Sequence, residues 1–227
     1  MTETILLILA LVPCLVIAIV FHEVAHGWTA LALGDPTAKE QRRLSFNPIR
    51  HVDPVGTLIV PGALAFFGGP IFGWAKPVPI NRSRLDNPRY GMMAVAAAGP
   101  AMNLLLAGGG AVVLGLLAGG LTAPPQGALA FALMALQYFL VINIFLALFN
   151  LLPIPPFDGS HIVEGLLPRS MAAQYARLQQ IGMFLLIALI AVTWAFPDSG
   201  VIENVVLPPV EWLQDKYMGL AFKIADG

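Results

Sequence analysis

The sequence predicts an all-α polytopic membrane protein with about four to six transmembrane helices. Of its 227 residues, 58% are hydrophobic and only 11% are charged, whereas soluble domains carry about 25% charged residues. Several apolar runs approach the roughly 20 residues that a helix needs to cross a bilayer. The net charge of −1 provides no basic surface, which excludes a nucleic-acid-binding protein.

Four apolar segments are interpreted as membrane helices, at about residues 5–33, 90–121, 128–152 and 181–196. Glycine and proline end the first of these segments, and three prolines end the third. The tail beyond the last segment mixes apolar and charged residues, which is typical of an interfacial position. Without a repeat or a long linker, residues 1–227 are predicted to form one domain. Its core motifs lie at about 15–165, and its C-terminal span and interfacial tail at 178–227.

Basic residues orient these spans. The stretch 55–73 is apolar but broken by glycines and prolines, and crossing the bilayer there would divide the basic residues of 34–89 evenly between the two sides. If the stretch instead enters and returns, all of these residues, with Arg169 and Arg177, lie on the cytoplasmic side, as the positive-inside rule favours. We therefore expect a re-entrant element, with 34–89 and 160–177 in the cytoplasm and 122–127 outside.

The most informative motif is His22-Glu23-Val24-Ala25-His26, which has the pattern H-E-x-x-H. Residues four apart share a helix face, so both imidazoles can bind one zinc ion while Glu23 acts on its water. Ionisable residues inside an apolar helix are costly and usually functional. A salt-bridging surface helix is the ordinary alternative, but residues 17–24 supply no solvated face.

A catalytic zinc site needs a third protein ligand, and its fourth position holds water. The candidates are His51, His161 and the acids, among which Asp158 follows a proline-rich break. That break would allow the Asp158 carboxylate to turn inward. Asp158 could equally cap the N-terminus of a helix over 159–166, and the residues alone leave the two roles open. Glu164 and Glu211 are interpreted as helix-surface acids.

An ordered series of motifs over about residues 15–165 resembles the site-2 protease family of intramembrane zinc metalloproteases, in its compact branch without PDZ or CBS domains. The motifs are His22-Glu23-Val24-Ala25-His26, Asn47-Pro48 with His51 and Asp53-Pro54, Gly73-Trp74-Ala75-Lys76-Pro77, Gly99-Pro100-Ala101-Met102-Asn103, and Asn150 with Pro153 and Asp158-Gly159. The resemblance implies that His22, His26 and Asp158 ligate one zinc ion per chain and that Glu23 is the general base. It also implies a small β-rich element between the first two core helices.

The resemblance further implies a zinc-dependent intramembrane endopeptidase. It would hydrolyse peptide bonds in or near transmembrane segments of membrane-anchored proteins, in regulated intramembrane proteolysis or signal-peptide clearance. Its partners would be those proteins and the lipid bilayer, and its active site would face the cytoplasmic side of a prokaryotic cell membrane. The alternative is a transporter or channel with an intramembrane His/Asp metal site, but inverted repeats, which would favour transport, are not found. An inactive scaffold is disfavoured because Glu23 is present.

Three further polar residues are candidates for supporting roles. A developing oxyanion needs a hydrogen-bond donor, and Asn150 or His51 could provide one. The amide of Asn150 could alternatively tie helix ends together. We expect Asn103 mainly to form hydrogen bonds across helices, as polar residues in membranes often do.

The segment Gly73–Ile80 alternates in character and contains two prolines, which predicts an extended edge strand. A substrate helix must unwind before cleavage, and its freed amides then need new partners. We therefore hypothesise that this segment clamps the unwound substrate by strand addition. Trp74 and Lys76 would anchor the clamp at the membrane interface.

Overall fold

The structure, a computed structural model, describes residues 2–66, 74–196, 200, 204 and 206–227, and this part of the chain is mostly helical. The α-helices, in chain order, are α1 (Thr2–Ala32), α2 (Thr37–Glu40), α3 (Val60–Phe66), α4 (Pro88–Ala118), α5 (Gly127–Asn150), α6 (Asp158–Leu166), α7 (Arg169–Gln179), α8 (Gly182–Ala195) and α9 (Leu207–Asp226). Two 3₁₀ turns and a π-helical turn lie between α1 and α4, at Pro48–His51, Arg82–Arg84 and Pro54–Ile59.

Three helices are long and apolar enough to cross a membrane, namely α1, α4 and α5. The pair α7 and α8, bent by 62°, adds a fourth span if it is counted as one. The described residues therefore support three or four spans, and only the count of four reaches the lower end of the predicted four to six. Local signals explain the ends of the long helices. The Asn87 side chain accepts from the first backbone N–H groups of α4, with Pro88 in its first turn, and Gly34, with a φ of 96°, follows α1.

Helix α4 lies at the centre of the bundle and packs against α1, α5, α6 and α9. Small side chains on α4, such as Ala107 and Ala111, are fully buried in a cluster with Leu140 and Ile144 of α5. Small residues let neighbouring helix backbones approach closely, which is how helices associate in lipid. The central position of α4 brings its N-terminal half against the motif helix α1.

Helix α9 forms most of the predicted interfacial tail, and it packs lengthwise on the bundle. Its Val210 and Ala221 belong to the same buried cluster as the α4 and α5 side chains. The Tyr217 hydroxyl donates a hydrogen bond to the Leu104 carbonyl of α4 over 3.0 Å. The charged residues of α9, among them Asp215 and Lys216, are exposed on the side away from this cluster.

The predicted β-rich element is not found, because the described residues between α1 and α4 include no strand. Residues 74–80 are extended, and two backbone hydrogen bonds tether them to the preceding turns, from Trp74 N to Gly56 O and from Lys76 N to His51 O. Pro77 and Pro79 cannot continue a ladder because they have no N–H, and residues 48–59 form turns rather than an extended partner. Gly73 and the rest of 67–73 lie outside the described residues.

The buried carboxylate of Asp35 links the two ends of the long connection between α1 and α4 by hydrogen bonds. Asp35 is fully buried, and its Oδ1 accepts from the Thr37 N–H over 3.0 Å. Its Oδ2 accepts from the Asn81 N–H over 2.6 Å. Nearby, the Asp86 N–H donates to the Leu33 carbonyl over 2.9 Å. The two ends of the connection are therefore held together beside the end of α1.

Candidate metal centre

Two side chains of α1 and one from the start of α6 converge at one point. Helix α1 places His22 and His26 on the same face, and their Nε2 atoms lie 3.0 Å apart. The Oδ2 atom of Asp158 lies 3.1 Å from Nε2 of His22 and 3.3 Å from Nε2 of His26. Both histidines are buried. Among the described residues, this is the group of His, Cys, Asp and Glu side chains that could hold a metal ion.

The hydrogen bonds of the two imidazoles determine where their protons lie. His26 Nδ1 faces the carbonyl oxygen of Val95 at 2.7 Å, and a carbonyl can only accept. His22 Nδ1 faces Oδ1 of Asn103 at 2.6 Å, while the amide nitrogen of Asn103 donates to Asn143. Each Nδ1 therefore carries the proton in the neutral ring, which leaves both Nε2 lone pairs directed at the Asp158 carboxylate.

Three converging acceptors without a proton between them repel one another, and a cation would relieve that repulsion. Tetrahedral zinc with bonds of about 2.0–2.2 Å places its ligand atoms roughly 3.3 Å apart. The observed separations of 3.0, 3.1 and 3.3 Å are close to this value. Two histidines and one carboxylate fit zinc and leave its fourth position for water.

The break after α5 places Asp158 at the centre. Asp158 is the first residue of α6, and Phe157 occupies the capping position without a side-chain hydrogen bond. The capping role left open for Asp158 is therefore not observed. A Cβ on Gly159 would overlap the carbonyl oxygens of Leu151 and Leu152. Glycine at this position thus lets the start of α6 pack against the preceding turn and brings Asp158 to the histidines.

Gly99 of α4 borders the two imidazoles. A Cβ at this position would lie 2.5 Å from His26 Nε2 and 2.6 Å from His22 Cε1, far inside ordinary contact. The absence of a side chain therefore allows α4 to pack directly against the histidine pair. The sequence motif drew attention to Gly99 but did not predict this role. The signal was a glycine followed by a proline within an apolar helix.

Glu23 lies next to the cluster and is half-buried. Its Oε2 accepts a hydrogen bond of 2.8 Å from the backbone N–H of Val78. The extended segment that supplies this N–H is held in place by Arg43, whose Nη2 donates to the Lys76 carbonyl over 2.7 Å. Sequence reasoning missed Val78, because a backbone donor leaves no signal in the side-chain pattern.

Comparison with known proteins gives consistent relatives. The chain is 37% identical over 206 residues to a protein of Bacillus subtilis named "Putative zinc metalloprotease YwhC", covering 85% of this chain and 89% of that one. Proteins named "Putative zinc metalloprotease Rip2" are 30% identical over 196 residues in Mycobacterium tuberculosis and 27% over 202 residues in Mycolicibacterium smegmatis. Each of these matches covers 82% of this chain and 72% of the relative.

The family model of Peptidase family M50 matches residues 117–192. The chain belongs to Peptidase family M50. The resemblance to the site-2 protease family is thereby confirmed, and the protein is a membrane-embedded zinc metallopeptidase. This assignment decides against the transporter alternative. No solved structure matches the chain.

The other predicted site residues of this M50 peptidase lie outside the metal group. Asn103 is fully buried and joins α1, α4 and α5 through His22 and Asn143. The Asn150 amide donates to the Leu146 carbonyl of its own helix over 2.9 Å. His51 is buried, and its Nε2 lies 2.7 Å from the Ser45 carbonyl.

A second polar cluster surrounds α6 on the side of the loop that precedes α4. Glu164 was predicted to be a surface acid, but it is buried and forms a 2.7 Å ion pair with Arg82. Gln179 of α7 donates to the same carboxylate and also contacts His161. Burial alone would raise the pKa of Glu164, but the ion pair with Arg82 holds it below its usual value. This cluster fixes the helix that begins with Asp158.

Proposed function

We propose that this M50 peptidase is an intramembrane endopeptidase that cleaves membrane-anchored proteins in or near their transmembrane segments. One observation carries the proposal. Three acceptor atoms suited to zinc converge on the apolar helix α1, with the carboxylate of Glu23 beside them. Because α1 is a candidate membrane span, a peptide bond must enter the helical bundle to reach this point. The whole chain, residues 1–227, would act as a single catalytic domain.

His22, His26 and Asp158 are proposed to hold one zinc ion per chain. When bound, zinc acidifies water and polarises the scissile carbonyl group. Glu23 would accept the proton of the attacking water and transfer it to the leaving amine. One Glu23 oxygen is engaged by the Val78 N–H, so the other is the oxygen available for this proton.

The cavity beside α1 suggests where the substrate chain lies. Its volume is about 320 Å³, and it is lined by apolar residues of α1 that precede Glu23, including Ile19 and Val20, and by His51 and Trp74. We propose that it receives an apolar side chain next to the scissile bond. His51 would serve as a support residue there, whereas Asn150 would first have to release the Leu146 carbonyl.

The proposed substrate clamp at Trp74 and Lys76 has fewer backbone groups available for pairing than the edge of a regular β-strand. Both residues already donate their N–H groups to residues 51–56, and the two following prolines have none. A substrate strand would therefore pair chiefly with carbonyl oxygens of the segment 74–80. Within a proline scan over residues 73–76, Trp74→Pro and Lys76→Pro remove the N–H groups that tether this segment. Unchanged cleavage across the scan would show that the position of the segment does not matter and would rule the clamp out.

Elemental analysis and cleavage assays together test the assignment. Asp158→Ala should lose zinc, because two histidines alone hold the ion weakly. Glu23→Gln should retain one zinc per chain and lose cleavage. In cells, a single-pass membrane protein should accumulate with Glu23→Gln and not with the wild type. Full zinc occupancy in Asp158→Ala would remove Asp158 from the ligand set.

We further propose that the enzyme lies in the cytoplasmic membrane of a prokaryote, with its active site toward the cytoplasm. The ten basic residues of 34–89 and 160–177 support this orientation. Cysteines at positions 42 and 84, in a Cys14→Ser background, should both be protected from a reagent added outside. Labelling of position 84 alone would show that residues 55–73 cross the bilayer.

A further inference from the structure

Helix α9 runs alongside α4 and α5 and packs against both. Near its start, Val210 belongs to the cluster that contains Leu140 and Ile144 of α5. Farther along, Tyr217 reaches the Leu104 carbonyl. Near the end of α9, the Ala225 carbonyl would lie 3.3 Å from a Cβ on Gly119, just past the end of α4. With 20 residues, α9 is about 30 Å long, which equals the thickness of the hydrocarbon core.

Two opposite charges lie in the middle of α9 on its outward face. Asp215 and Lys216 are both exposed, as are Glu211 one turn earlier and Lys223 two turns later. Among the described residues, none of these four side chains forms an ion pair, although Lys216 Nζ lies 5.6 Å from the centre of the Trp212 ring. Uncompensated charges at the centre of a bilayer are strongly unfavourable, so they usually face a partner or a water-filled cavity.

We propose that α9 lies across the bilayer beside α4 and that its outward face binds the same face of a second copy of this chain, in a dimer with its two-fold axis along the membrane normal. Such an axis makes the two α9 helices parallel, so that residues of equal depth meet. Asp215 and Lys216 differ by only about 1.5 Å in depth and about 100° around the helix. The midline of the face therefore lies between them, and the rotation brings Asp215 of each copy opposite Lys216 of the other.

Self-complementarity favours a second copy over another occupant. A single kind of contact, repeated by the symmetry, pairs both midplane charges at once and leaves neither in lipid. The same face exposes two large aromatic side chains, Trp212 and Phe222, and aromatic side chains commonly anchor interfaces. The dimer does not depend on the catalytic roles proposed above, because α9 contributes no side chain to the metal group.

Symmetric cross-linking tests the arrangement in the full-length protein. By helical geometry Gly219 lies on the midline, and a Cβ there meets nothing within 4 Å. Gly219→Cys in a Cys14→Ser background should form a disulfide-linked dimer in nanodiscs when treated with copper phenanthroline. Leu220→Cys is the matched control, because this exposed residue points about 90° away from the midline, and it should remain monomeric.

Charge reversal identifies the contact that holds the dimer. Asp215→Lys or Lys216→Asp alone places like charges together, and each should lower the cross-linking of Gly219→Cys at least about tenfold. The double reversal should restore it. Native mass spectrometry of the wild type and zinc content of each variant separate dimer loss from misfolding. A monomeric wild type, single reversals without effect, or a Gly219→Cys adduct with a different protein in native membranes would each overturn the proposal.

Discussion

The hydrogen bond from the Val78 N–H to Glu23 can be removed without touching the glutamate. Val78→Pro deletes the donor of this 2.8 Å contact, whereas Val78→Ala keeps it and serves as the control. A hydrogen bond to a charged group is worth about 1.5–3 kcal/mol. If it holds the carboxylate in the orientation that takes the proton, its loss should lower kcat roughly 10- to 100-fold. KM and zinc content should change little, because the contact involves neither the cavity nor the metal group.

Hydrogen exchange gives a second readout that does not require turnover. Pro77 and Pro79 carry no amide hydrogen, so a peptide covering 77–80 reports only Val78 and Ile80. In Glu23→Ala, the Val78 amide should exchange about 10- to 100-fold faster than in the wild type, because the same hydrogen bond is lost. Unchanged exchange there, or a kcat for Val78→Pro within about twofold of Val78→Ala, would refute the positioning of Glu23 by this segment.

Three further perturbations test the surroundings of the metal group. Gly99→Ala puts a Cβ 2.5 Å from His26 Nε2 and should sharply reduce bound zinc; full occupancy by elemental analysis would contradict the packing. Asn103→Leu removes the acceptor for His22 Nδ1 and should weaken zinc about 10- to 100-fold, as measured by chelator competition; equal affinity would show that Asn103 does not orient the ring. Because the pKa of Glu164 is lowered by folding, its stabilising effect is present above its unfolded pKa of about 4.3 and is lost as pH falls through the folded value. Melting curves of Glu164→Gln should therefore depend less on pH in this acidic range than those of the wild type, and an identical dependence would refute the assignment.

The parts of the molecule that sequence predicted well are those with strong local determinants. The long spans follow from runs of apolar residues, which water excludes regardless of tertiary detail. His22 and His26 meet because helical geometry brings residues four apart together. The position of Asp158 could not be predicted from local pattern alone, because its inward turn depends on how Gly159 packs against residues more than five positions earlier.

The missed features depend on contacts between distant residues. Glu164 resembled a surface acid because its partner, Arg82, is far away in sequence. The edge strand predicted at 73–80 had suitable residues, but the part of the chain that the structure describes gives it no extended neighbour with which to pair. In both cases the local sequence pattern does not show which distant residues the segment contacts in the folded chain.

The hydrogen bonds of the Asp35 carboxylate affect which insertions this chain can accept during evolution. The carboxylate accepts hydrogen bonds from backbone N–H groups 2 and 46 residues away. These bonds hold the two ends of the connection between α1 and α4 together, so the residues between them form a loop that is closed at its base. The entropy lost on closing a flexible loop grows only with the logarithm of its length. Extra residues inserted at an exposed turn of this loop, away from the segment that reaches Glu23, should therefore leave the zinc-binding geometry intact. This closed loop offers a place where new substrate-recognition or regulatory segments could be added without rebuilding the catalytic centre.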